Sequence, residues 1–126
     1  MPCKDKIKQR EHQRRHYRNH KEYYKNKRSV RRNNTVEKYN RIKSQQMCLI
    51  CGENDPVVID FHHLNVNEKE RLIYEFVNGG RSWEKIILEI KKCVPLCANC
   101  HRKVHKYEAW KKKLRSKLPF TWTCLE

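Results

Sequence analysis

Glycine and proline are scarce in this chain, three and four in 126 residues. Residues 4–43 contain neither, so nothing local forbids helix along that stretch. Acidic residues are also few, 14 against 30 lysines and arginines. The resulting net charge of +16 points to a polyanionic partner. No apolar run approaches the ~18 residues of a membrane span. No apolar segment follows the basic N-terminus as it would in a secretory signal. An intracellular, non-secreted protein is therefore expected. Apolar residues reach only 37%, which allows a small core, and small cores usually need a disulfide or metal staple.

What is present is unevenly distributed. Residues 1–46 hold 16 Lys/Arg against 4 Asp/Glu, residues 47–105 hold 8 against 8, and residues 106–126 hold 6 against 2. Basic arms thus flank a neutral middle. Nucleic acid suits this layout, because clustered cations displace counterions from phosphates. A membrane surface does not, since the arms lack an apolar interfacial face. The N-terminal arm reads as one long helix or two, broken near Asn33-Asn34 and packing little. His12, His16 and His20 fall on one face of it. In so positive a setting they suit phosphate contacts better than a metal.

Cys48-Leu49-Ile50-Cys51-Gly52 reads as a metal knuckle, two thiolates on a tight turn that Gly52 relaxes. Pro56 to Phe61 is β-branched and apolar and is predicted to be a strand whose end delivers His62 and His63. Leu64–Gly80 reads mainly as loop, with a short strand or helical turn at Arg71–Val77. Ser82 is the expected N-cap of a core helix carrying Trp83, Ile86, Ile87 and Ile90. Cys93 to Leu96 is extended, because Pro95 stops a helix. Cys97-Ala98-Asn99-Cys100 forms the second knuckle and opens a final helix to about Lys117. Pro119 ends that helix, leaving an irregular tail.

Cys48, Cys51, Cys97 and Cys100 form two Cys-x-x-Cys pairs, which in a reducing compartment means zinc before disulfide. A whole structural unit must be threaded through the 45 residues between Cys51 and Cys97. Cys93 reads as a buried thiol, and Cys3 and Cys124 have no evident partner. His101 and His105 are one helical turn apart and point the same way. His62 and His63 are consecutive on an extended segment and point to opposite sides. A metal on His62, His101 and His105 would leave His63 free as a base near neutral pH.

These residues resemble the HNH endonucleases, in particular their zinc-knuckle branch with phage-type and homing-endonuclease-like members. The likeness rests on Asp60-Phe61-His62-His63 and on Lys92-Cys93-Val94-Pro95-Leu96-Cys97-Ala98-Asn99-Cys100-His101-Arg102. It spans roughly Cys48 to His105. It implies a small α+β fold, a ββα-metal core stapled by a four-cysteine zinc site. The basic N-terminal helical arm would take residues 1–46, the nuclease domain 47–118 and the tail 119–126. It further implies His63 as general base, His62, His101 and His105 on the catalytic metal, and Asp60 as orienting or ligating residue. The metal would be magnesium or manganese, with zinc or nickel tolerated. Arg102 and Lys103 are candidates for holding the scissile phosphate, and double-stranded DNA is the expected substrate. The compartment would be the cytoplasm of a cell or of a phage-infected host. The family's central Asn falls at or near Lys92, so Asn78, Asn99 or a backbone carbonyl would have to brace His63. The competing expectation is a non-catalytic, zinc-stabilised DNA- or RNA-binding protein.

Overall fold

A computed structural model describes residues 2–118, with side chains from Asp5 onward. The tail, with Pro119 and Cys124, and the side chain of Cys3 lie outside the described residues. Two helices, α1 (Pro2–Asn19) and α2 (Lys21–Ser44), precede strand β1 (Ile59–His63). A 3-10 turn (Val66–Glu68), α3 (Ile73–Asn78) and α4 (Trp83–Ile90) follow. Strand β2 (Cys93–Cys97) then runs directly into α5 (Ala98–Lys106), and α6 (Glu108–Lys117) ends the fold. The protein is small α+β, a two-stranded sheet followed by a helix, with basic helices at its N-terminal side.

The strands are antiparallel, with His62 opposite Val94 and His63 opposite Cys93. Side chains alternate along a strand, so the sheet buries a different set on each face. One cluster gathers Ile59, Val94, Leu96, Val104 and Leu114 with Cys48, Cys97 and Cys100. The other gathers Ile73, Phe76, Val77, Ile86 and Cys93. Phe76, Ile59, Ile86 and Leu96 are completely buried. Each contributes about 1.5–3 kcal/mol relative to exposure. The sheet is thus the partition between two small cores. Helices α5 and α6 serve one, and α2, α3 and α4 the other.

Several local expectations shift. The N-terminal break falls at His20 (φ −117°, ψ 23°), and Asn33-Asn34 lie inside α2. Tertiary contacts carry the helix past them: Val36 and Tyr39 pack on the second core, and the Tyr39 and Phe61 rings lie 5.9 Å apart. Arg32 Nη2 also donates to Asn78 Oδ1 at 3.0 Å. Only α1 fits the expectation of a helix packing little. The strand starts at Ile59 rather than Pro56 and continues through both histidines. Ser82 occupies the N-cap position, but its side chain makes no capping bond. The final helix divides at Tyr107, which is extended (φ −116°, ψ 127°). That turn folds Leu114 and Trp110 back onto the first core. A straight continuation would carry them away from it.

Candidate metal centres

The cysteine knuckle preceding β1 is a closed turn. Gly52 N donates to Cys48 O at 2.9 Å, and Cys48 N donates to Glu53 O at 2.7 Å. Gly52 has φ 79°, a left-handed conformation that costs a side-chain-bearing residue about 1–2 kcal/mol. Leu49 N donates to Pro95 O at 3.2 Å and docks the knuckle on β2. On the other side, Cys97 ends β2 and caps α5, its Sγ accepting from Cys100 N at 3.4 Å. The sulfurs of Cys48, Cys51, Cys97 and Cys100 consequently lie within 4.8 Å of one another.

This set fits a zinc ion. Cys51 Sγ and Cys97 Sγ are 3.6 Å apart, close to the ~3.8 Å edge of a tetrahedron with Zn–S near 2.3 Å. Burial pushes the Cys48 thiol up, but backbone hydrogen bonds from Cys51, Cys97 and Ile50 outweigh it and bring the pKa down to about 7. Cys100 is pushed well above the usual thiol range by burial and then by the neighbouring cysteines. One thiolate forms readily, whereas four together require a cation among them. Cys51 is exposed and its three companions are buried.

The second cluster joins β1 to α5. Asp60 and His62 share one face of β1, as the alternation requires. His101 and His105, one turn apart on α5, come down onto that face. The three imidazole rings sit 4.8 to 5.2 Å apart between centroids, with His101 Nε2 and His105 Nε2 separated by 3.1 Å. Ligands at ~2.1 Å from one ion lie about 3.0–3.4 Å apart, depending on geometry. Asp60 Oδ2 is 3.2 Å from His101 Nδ1. A carboxylate can only accept, so Nδ1–H donates and Nε2 keeps its lone pair facing the other histidines. Metal-binding imidazoles commonly have such an outer carboxylate. His62 is lowered to about 4 by burial and then by the positive charge His101, His105 and His63 would carry. His105 is lowered by burial and then by His101, Lys111 and Lys69. Both histidines therefore favour the neutral form that binds metal.

His63 turns to the opposite face of the sheet, as its position predicts, and is 8% exposed. Its Nε2 lies 2.7 Å from Glu89 Oε1, the length of a charge-assisted bond. Glu89 is 1% exposed. Lys92 Nζ donates to its Oε2 at 2.9 Å, and Glu70 N donates to Oε1 at 3.2 Å. Burial would raise the Glu89 pKa, but Lys92, His63 and the Glu70 amide together hold it below the ordinary carboxylate range. The expected partners of His63 do not fill that place: Asn78 is engaged by Arg32 and Asn99 is exposed on α5.

Glu89 was missed in the sequence, although it left a trace. It stands three residues after Ile86 and four before Cys93, on the buried stripe of α4. A carboxylate on an apolar stripe with a lysine three positions on signals a buried charge relay or ion pair. Arg102 and Lys103 are both exposed on α5, and Lys103 Nζ lies 4.6 Å from the Trp110 ring centroid. The ring of His16 on α1 lies 4.5 Å from that of His20 at the break between α1 and α2. Together with His12 they form no metal-competent set among the described residues. No helix among those residues is long and apolar enough to cross a membrane. No family model, curated protein or solved structure matches the chain.

Proposed function

We propose that this chain is an HNH-type endonuclease that hydrolyses DNA phosphodiester bonds with a divalent metal and a histidine base. The observation that carries the reading is the parting of two neighbours. His62 joins His101 and His105, while His63 is held on a buried carboxylate, Glu89. A four-cysteine staple alone has no use for either arrangement. His62, His101 and His105 would hold magnesium or manganese, with zinc or nickel also suited to imidazole ligands. When bound, the metal supplies positive charge to the phosphate and its leaving oxygen.

The chain's own residues supply the rest. Glu89 accepts the Nε2 proton of His63 and so leaves Nδ1 with the lone pair, the atom that takes a proton from the attacking water. As that proton arrives, Glu89 stabilises the imidazolium. Lys92 keeps Glu89 ionised. Asp60 holds His101 in its ligating tautomer. Arg102, exposed next to His101 on α5, would bind the phosphate being cut. The four cysteines hold zinc for structure. The basic N-terminal helices supply most of the affinity for duplex DNA.

The test is supercoiled plasmid incubated with the protein across a series of magnesium, manganese, zinc and nickel. Wild type converts the plasmid to nicked or linear form. His63→Ala lowers the rate by about 10²–10⁴ while binding DNA normally. Plasmid left intact in every metal, with His63→Ala binding like wild type, would establish the non-catalytic zinc-stabilised binding protein instead.

A further inference from the structure

Away from both clusters, α2 and the start of α4 enclose an open cleft of about 470 Å³. Lys27, Arg31 and Lys38 line one wall, and Arg81 and Trp83 stand on the other. Glu84 is the one acidic residue in the lining. The cleft cations, Lys27, Arg31 and Lys38 on α2 and Arg81 just before α4, differ from two ion-paired cations of α2. Lys25 pairs with Glu22 at 3.3 Å and Arg41 with Glu37 at 2.9 Å. Lys27, Arg31, Lys38 and Arg81 enter no ion pair among the described residues. Aromatic faces hold three of them instead. Lys27 lies 5.9 Å from the Tyr23 ring, Lys38 5.6 Å from Trp83, and Arg81 5.8 Å from Phe76. Such contacts order a cation while leaving its charge available.

We propose that this cleft binds the sugar-phosphate backbone of duplex DNA, at phosphates beside the one being cut. Only the position relative to the cut rests on the nuclease reading; binding in the cleft does not. Length selects a polymer over a free phosphate. From Lys27 to Lys38 the helix rises about 16 Å, and one strand presents a phosphate every ~3.4 Å along the duplex axis. The row is therefore long enough for several phosphates. Helix α4 relates the cleft to the base. Trp83 begins it at the cleft, and Glu89, six residues and about 9 Å further on, holds His63. A backbone seated in the cleft is thereby fixed relative to His63 through one rigid element.

The experiment uses the full chain and a fluorescent DNA duplex without added magnesium or manganese, following anisotropy across a salt series. In Lys27→Gln/Arg31→Gln/Arg81→Gln, all exposed positions, the salt slope falls by about 2.7, at ~0.9 per phosphate contact. Lys38 is left in place because it also covers Trp83. Lys25→Gln/Arg41→Gln removes paired charges from the same helix and changes the slope by much less per charge. Equal change per charge in both variants, or none in the first, overturns the cleft. So does displacement of the duplex by millimolar inorganic phosphate, or tighter binding of an RNA duplex through the same three residues. A chain that binds through the cleft but cuts no plasmid refutes the nuclease reading alone. One that cuts with an unchanged slope refutes the cleft alone.

Discussion

A carboxylate 1% exposed, like that of Glu89, persists in an interior only where hydrogen bonds replace its water. Three donors do so here: His63 Nε2, Lys92 Nζ and the Glu70 amide. Glu89→Gln keeps the shape but removes the charge. The expected result is a fall in plasmid cleavage of about 10³-fold, with DNA binding unchanged. Cleavage at the wild-type rate would show that Glu89 does nothing for His63. The same residue sets an acid dependence. Its folded pKa lies below the ordinary carboxylate range, so the folded chain binds fewer protons than the unfolded one. Its contribution to stability is complete above that range and is lost as pH falls through the depressed value. Circular dichroism during acid titration should therefore show a shallower loss of structure in Glu89→Gln than in wild type. The opposite directions of His62 and His63 were legible beforehand, because strand alternation depends on sequence position alone. Glu89 was not, because its partner lies 26 residues away and only the folded sheet brings them together.

At the scale of elements, the strand between the knuckles and the helix opened by Cys97 were readable from spacing and β-branched residues. The two helix breaks were not. Asn33-Asn34 is a weak helical pair, yet α2 runs through it because Val36 and Tyr39 have a core to reach. Propensity differences of a few tenths of a kcal/mol yield to such packing. Tyr107 carries no breaker signal, and its turn is set by where Leu114 must return. The knuckles bring these elements together, and a zinc ion held by the four thiols would tie them, so that its removal should undo the sheet. Zinc binding to such a site contributes roughly 10–16 kcal/mol, as much as a whole small domain's stability of about 5–15 kcal/mol. Purified protein should hold one zinc per chain that survives mild chelation. Cys97→Ser should lose it along with cooperative unfolding, since Cys97 is at once strand end, helix cap and one of the four clustered thiols. Wild-type protein that folds without zinc would show that the four thiols are no metal staple.

For the whole molecule, the neutral half forms both metal-competent clusters and nearly all of the core, while the charge excess projects from it on helices. Those helices are not equivalent. Residues of α1 with described side chains are all exposed, whereas α2 is bound by Val36, Tyr39 and the Arg32–Asn78 bond. An α1 whose described side chains are all exposed should contribute charge with little contribution to stability. Truncation should separate the two roles. Deleting residues 1–19 removes seven Lys/Arg and two acids. It should leave the unfolding midpoint almost unchanged while weakening duplex binding and flattening its salt dependence. Deleting residues 1–43 also strips Val36 and Tyr39 from the second core, at a cost of about 2 kcal/mol in apolar burial. Thermal melts and salt-series titrations of the two truncations together decide the matter. If the shorter deletion already destabilises the fold, α1 packs on the core. If it leaves the salt slope untouched, α1 is not the proposed DNA contact, and the proposed cleft between α2 and α4 would have to supply that charge instead.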